Sequence, residues 1–277
     1  MFDTPPIHYF KDFRTDRQSS LREKLMLSDS ILIIGSAPNA IEAKPWSKHA
    51  FRHMIAINNA WQVRDDWDYL IFPDDFPVER RPELLSKQQQ IVTSTDYVPI
   101  QNDYGGFVYA GGTMAFTAAY WALGQLKPKL IAFIGCDMVY PAGIKTHFYG
   151  TGTADPLRDD VSLQSLEAKS LRLQYYACIQ DCLCVNLSVA STSRLTFPRV
   201  HYDALQQMTS AKYRALVALE KSKFDESKPS QVLSAEMALG YYFKTGKYWD
   251  HLSEICKQSV YEIDQLWLST YEDAKAS

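Results

Sequence analysis

The sequence has little of anything that would set it apart from ordinary folded globular chains. No apolar run approaches the ~20 residues that span a bilayer. The opening stretch, MFDTPPIHYFKDFRTDRQ, holds no uninterrupted apolar segment of signal-peptide length. The expectation is a cytoplasmic chain with no transmembrane segment. With 12 Gly and 13 Pro in 277 residues, the chain is too poor in both to be collagen-like or disordered. Neither sign of charge dominates: 29 Lys and Arg face 32 Asp and Glu, a formal −3, so no global field favours nucleic acid or an anionic membrane. Five cysteines are few and odd in number, which does not suit a secreted disulfide framework. Cys178, Cys182 and Cys184 follow C-x3-C-x-C, without the second ligand pair of a structural zinc site. Free and mostly buried thiols are expected, and no metal site. Two phosphate motifs are missing as well. There is no G-x-x-x-x-G-K-[ST], which excludes a P-loop phosphotransferase, and no G-x-G-x-x-G for a dinucleotide.

What the sequence does have is a rhythm. Apolar residues make up 46% of it, and several stand in short runs that stop at Gly, Asn, Asp or Pro. Such runs occupy 31–34, 54–57, 69–72, 90–93, 130–134 and 183–187, with amphipathic segments at 113–126 and 161–180 between them. Continuous apolar runs suit strands covered on both faces. The fold class expected is therefore α/β, a Rossmann-like, doubly wound, mostly parallel sheet with a C-terminal helical appendage. The division expected is 1–200 for a nucleotide-binding domain and 201–277 for the appendage, where strand signals vanish and helices are expected near 211–221 and 233–243. A further helix is expected around 18–26. Residues 236–251 faintly resemble a helical repeat unit, but no second copy exists.

In an open parallel sheet, ligands bind beyond the carboxyl ends of the strands. The residues there are Gly35, Ser36, Ala37, Pro38 and Asn39; Asn58 and Asn59; Asp74 and Asp75; Gly135, Cys136 and Asp137; and the pair Gly111 and Gly112, which opens a helix at Thr113. Small residues let a backbone approach a phosphate, and helix N-termini favour anions. Asparagines suit ribose hydroxyls or a pyrimidine edge, although each is as readily a turn residue. Asn58 stands where NAD binding wants a carboxylate. Asp74 and Asp75 either hold a divalent ion, accept from a ligand hydroxyl or cap a helix. The set points to a nucleotide or sugar-phosphate site.

The segments IIGSAPNA, AINNAW, AGGTMAFTAAYWALG, KLIAFIGCDMVYP, THFYGTG and CLCVNLS resemble the bacterial CMP-sialic-acid-dependent sialyltransferases and their relatives, the motility-associated and pterin-pyrophosphokinase-like proteins. The resemblance covers about the first 200 residues. It implies that Gly35, Ser36, Ala37 and Asn39 approach phosphate and ribose, that Asn58 and Asp74 line the nucleotide pocket, and that Gly111, Gly112 and Thr113 line the base and donor side. Asn186 and Ser188 would complete the pocket, with Asp137 beside it. It also implies metal-independent inverting transfer from a nucleotide-sugar donor, most simply a CMP-sugar, to a glycan or other hydroxyl acceptor, with no cofactor required. Two positions depart from that pattern. The lid reads His147, Phe148, Tyr149, Gly150, Thr151, with Thr151 where those enzymes carry the histidine base, and Tyr109 replaces an arginine before the small-residue helix start. A threonine hydroxyl is too weakly basic to take protons at neutral pH, so His147 and Tyr149 become the catalytic candidates. The competing readings are a Mg²⁺-dependent pterin-type pyrophosphokinase using Asp74, Asp75 and Asp137, and a nucleotide-binding interaction protein without catalysis. Homo-oligomerisation through the helical tail fits each of them.

Overall fold

The computed structural model describes residues 29–140, 145–150 and 158–272. The helix expected at 18–26, and Pro141, Gly143, Thr151, Gly152 and Pro156 of the glycine-containing loop, lie outside the described residues.

Six strands form one all-parallel sheet: β1 (Ser30–Ile34), β2 (His53–Ile57), β3 (Tyr69–Ile71), β4 (Gln90–Val92), β5 (Leu130–Ile134) and β6 (Leu183–Asn186), in the order β4-β3-β2-β1-β5-β6. Each apolar run of the sequence is one strand. In β1 and β5 every residue is buried, because both faces of a parallel sheet are covered. Ile33 lies opposite Ile55 on one side and Phe133 on the other. Burying each such side chain is worth about 1.5–3 kcal/mol, which makes the centre of the sheet its most stable part.

Successive residues of a strand point to opposite faces, and the two cores follow that alternation. Ile31, Ile33, Ile55, Ile131 and Phe133 belong to one core, and Leu32, Ile34, Met54, Leu130 and Ala132 to the other. The first face is covered by α1 (Ser94–Asp103), α3 (Met114–Trp121) and α4 (Leu166–Ile179), with the short α2 (Phe107–Ala110) leading into α3. The second face is covered by 3-10 turns after β1 and β2 and by α5 (Tyr202–Gln206) and α6 (Ser210–Ser222), which supply Tyr202, Leu205, Tyr213 and Val217. The helices α7 (Lys228–Leu239) and α8 (Lys257–Ser269) pack outside α4, around Val232, Ile263 and Trp267. The tail is thus helical, and its first two helices form part of the layer over the sheet.

Two helices are shorter than their sequence patterns imply. The 113–126 segment is α-helical only to Trp121 and then widens into a π turn over Ala122–Leu126. Within that turn a Cβ on Gly124 would meet Ile100 Cγ2 at 2.5 Å, so glycine is what lets α1 and this turn touch. The 161–180 segment begins as a 3-10 turn, and its α-helix starts after Ser165, whose side chain accepts the Ala168 N–H at 3.2 Å and caps it. Among the described residues no helix is long and apolar enough to cross a membrane.

Candidate functional site

The strand order reverses between β2-β1 and β1-β5, which makes the carboxyl ends of β1 and β5 the switch point of the sheet. There the two loops are bound to each other. Gly35 N–H donates to Ile134 O at 2.8 Å and Ala37 N–H to Gly135 O at 3.0 Å. A Cβ on Gly35 would lie 2.3 Å from Gly135 O, and one on Gly135 2.7 Å from Ala40 Cβ. The N–H groups of Gly35 and Ala37 are thus engaged within the protein, and the contact between loops by itself calls for glycine at position 35. Cys136, buried in the same contact, donates its thiol to Ile134 O at 3.6 Å, and burial pushes that thiol far above its ordinary pKa.

Around this junction four predicted residues meet. Asn39 Nδ2 donates to Asp137 Oδ2 and to Ser188 Oγ, both at 2.8 Å. Asn186 Nδ2 donates to Asp137 Oδ1 at 3.1 Å and to Ser193 Oγ at 3.0 Å, while Asn186 Oδ1 accepts the Ser188 N–H at 3.0 Å. A carboxylate only accepts, so Asp137 fixes which way the Asn39 amide faces. Asp137, Asn186 and Ser188 are almost wholly buried. They hold one another and aim Asn39, whose Oδ1 is buried and finds no partner among the described residues. Asn58 repeats the pattern at the end of β2. It has φ 51°, in the left-handed region that Asn tolerates better than most residues, and its Oδ1 is likewise buried without a partner. Asp74 and Asp75 stand apart, exposed after β3, two strands from β1. Among the described residues no three His, Cys, Asp or Glu side chains converge as a metal site, so Asp74, Asp75 and Asp137 are not brought together.

Gly111, Gly112 and Thr113 lie at the start of α3. Thr113 Oγ1 caps that helix by accepting the Phe116 N–H at 3.4 Å, and it approaches Met138 Sδ at 4.0 Å, next to Asp137. Gly111 has φ 90°, and a Cβ there would press on Phe116 and Lys169. Gly112 is covered by a cluster that the sequence did not announce. Its N–H donates to Ser162 Oγ at 3.0 Å, its carbonyl accepts from Arg158 at 3.2 Å, and a Cβ on it would lie 2.7 Å from Tyr248 Oη. Tyr248 belongs to the tail. Its hydroxyl donates to Asp160 Oδ2 at 2.6 Å, and Ser162 Oγ donates to Asp160 Oδ1, also at 2.6 Å. Burial opposes the Asp160 charge, but the bonds from Ser162 and Tyr248 and the Arg158 charge outweigh it and lower its pKa. Burial and the bond to Asp160 push the Tyr248 hydroxyl up to about 12. The tail thus packs against Gly112, one of the strand-end residues. No local pattern marks Tyr248, because the contact spans 88 positions.

His147 is tied to the first loop through its neighbour, whose N–H (Phe148) donates to Ser36 O at 3.0 Å. Its ring is 7% exposed, Thr146 Oγ1 lies 2.8 Å from Nδ1, and Tyr149 stacks on it at 4.9 Å between centroids. In this arrangement the imidazole is packed rather than presented, while Tyr149 is partly exposed. Tyr109 is buried. Its hydroxyl donates to Glu236 O at 2.9 Å and accepts the Tyr241 N–H at 3.1 Å, fastening the tail. Cys136, Cys178, Cys182 and Cys184 are free and buried, and Cys256 is free and exposed.

The chain was compared with protein-family models, curated proteins and solved structures, and none of them matches it.

Proposed function

We propose that the junction of β1, β2 and β5 binds the nucleoside part of a nucleotide-activated sugar, with a CMP-sugar as the first choice, and that the protein transfers the sugar to a hydroxyl acceptor. The observation that carries this reading is the pair of buried, unpartnered carbonyl oxygens on Asn39 and Asn58, at the ends of neighbouring strands. A buried acceptor left without a donor costs about 1–3 kcal/mol. A ligand that brings donors removes that cost, and ribose hydroxyls and the exocyclic amine of cytosine are such donors. The α3 N-terminus beside them favours the phosphate through its dipole.

Transfer would rest on positioning and on stabilising the departing phosphate. His147 would take the acceptor proton once Tyr149 swings off its ring. The packed state of that ring equally favours a second reading, nucleotide binding without turnover. A thermal-shift screen tests the binding: CMP or CDP without metal stabilises the protein, by about 2.7 kcal/mol at a hundred times the dissociation constant, and NAD does not. Stabilisation by NAD, or by ATP only with Mg²⁺, overturns the proposal. If the protein transfers sugar, His147→Ala lowers turnover by about two to four orders of magnitude with nucleotide affinity unchanged. Unchanged turnover in that variant removes His147 from the mechanism.

A further inference from the structure

A concavity adjoins the junction through the 3-10 helix that carries Asn39. It is a pocket of about 370 Å³ whose wall includes Glu42, Trp46, His201, Tyr202 and Asp203, a size within the range of small-molecule sites. Two links tie it to the junction. Asn39 and Glu42 share the 3-10 helix Pro38–Ala43, in which residues three apart eclipse one another, so the face that carries Asn39 to Asp137 carries Glu42 to the pocket. Leu187, also in the wall, directly precedes the Ser188 that accepts from Asn39.

The chemistry of the lining selects a ligand class. Trp46 and Tyr202 form a flat aromatic pair, with centroids 4.5 Å apart and planes within 4°. The Tyr202 hydroxyl accepts the Ser47 N–H and the Gln206 amide, both at 2.8 Å, which locks the pair in place. Glu42 and Asp203 contribute acceptors, His201 contributes a ring of either polarity, and among the described residues no Lys or Arg lines the pocket. Two carboxylates against a single imidazole make the pocket a poor seat for a phosphate. A rigid apolar plate edged by carboxylates suits a neutral ring bearing hydroxyls, whose C–H face lies on the aromatic surface while its O–H groups donate to the carboxylates. We infer that this pocket is a subsite for a neutral sugar ring, held by Trp46 and Glu42, and that it seats the hydroxyl acceptor of the transfer. The acceptor role rests on the donor reading above, whereas the sugar site stands by itself. Burial and nearby Asp137 raise the Glu42 pKa, with His201 opposing.

The test is saturation-transfer NMR on the full chain with four neutral probes (galactose, glucose, N-acetylglucosamine and lactose) and galactose 1-phosphate. At least one neutral sugar binds, and the phosphate binds at least tenfold more weakly than galactose does. Trp46→Ala and Glu42→Gln each weaken sugar binding by about tenfold or more, the loss expected for a charge-assisted bond, while the CMP thermal shift is unchanged. Glu42→Gln is the decisive variant because it leaves the Trp46–Tyr202 stack intact. If no neutral sugar binds, if galactose 1-phosphate binds as tightly as galactose, or if binding survives both substitutions, the inference is wrong. Sugar binding that depends on Trp46 and Glu42 in a protein that CMP fails to stabilise upholds the sugar site and overturns the donor reading instead.

Discussion

Buried polar groups gather in two regions of this molecule, and the regions treat them differently. In the seam between α4 and the tail, Arg172 is fully buried and uses every branch of its guanidinium. It donates to Glu236 Oε1 at 2.9 Å and Oε2 at 2.8 Å, to the Tyr120 hydroxyl at 3.0 Å and to Tyr104 O at 2.6 Å. Glu236 accepts in addition from Trp267 Nε1 at 2.7 Å. One helical turn before Arg172, Lys169 donates to Asp264 at 2.7 Å, where burial raises the carboxyl pKa in spite of the lysine. At the strand-end junction, by contrast, Asn39 and Asn58 are held in place yet each keeps an acceptor unmatched. The seam is not wholly matched either, since Asp264 Oδ2 has no partner among the described residues, but there a buried cation stands beside the unmatched oxygen. At the junction the unmatched oxygens are neutral amide acceptors, which leaves a place for a donor from outside.

The comparison can be broken or sharpened by substitution, and the largest effect belongs to the seam. Arg172→Met strands Glu236 without its cation and lowers stability by about 3–5 kcal/mol in urea unfolding. The CMP affinity of the molecules that remain folded does not change, and its loss would mean that seam and junction act as one unit. At the junction, Asn58→Gly keeps the left-handed backbone and removes the amide. Nucleotide affinity then falls by up to about tenfold, the worth of one hydrogen bond, with the unfolding midpoint unmoved; a collapse in stability would make Asn58 structural. Gln101 provides a control. It is wholly buried in α1, and neither of its side-chain polar atoms has a partner among the described residues. Gln101→Met therefore raises stability by about 1 kcal/mol without touching affinity, and a loss of stability would show that the amide holds a buried water.

The smallest effect is a pH dependence. The Asp160 pKa is depressed in the folded state, so its contribution is present above the unfolded carboxylate value and is lost as pH falls through the folded one. Asp160→Asn removes that titration, and its melting temperature falls less steeply than that of the native protein on acidification below about pH 4. An equal slope would mean that Asp160 adds nothing to the hold of Tyr248 on Gly112.

The strands were legible because each is an apolar run with punctuation, and a strand buried on both faces needs nothing more. Residues 31–34, 54–57 and 130–134 fall inside β1, β2 and β5, and the match of loops to strand ends placed Asn39, Asn58 and Asp137 at one edge of the sheet. The local departures have local causes. Ser165 caps α4 where the pattern began its helix earlier, and a π turn interrupts the segment after Trp121. What could not be read were interactions that only folding brings together. Arg172 and Lys169 look like ordinary charges on a helix until partners 64 and 95 positions away cover them. The packing around Gly35 and Gly112 was hidden for the same reason: another segment of the chain lies against each, and nothing beside it in sequence says so.

Those separations also set an order of assembly. As the chain leaves the ribosome amino end first, α4 emerges well before Glu236 and Asp264 exist to meet it. Until then Arg172 and Lys169 keep their water, since an unpaired charge is too costly to bury. One of the three helices that cover the first face of the sheet thus carries two cations that stay hydrated until α7 and α8 neutralise them. Closure of the long loops between them becomes the late step of folding. Without α7 and α8, Arg172 and Lys169 would lack the carboxylates of Glu236 and Asp264, so these two helices act as a latch on α4.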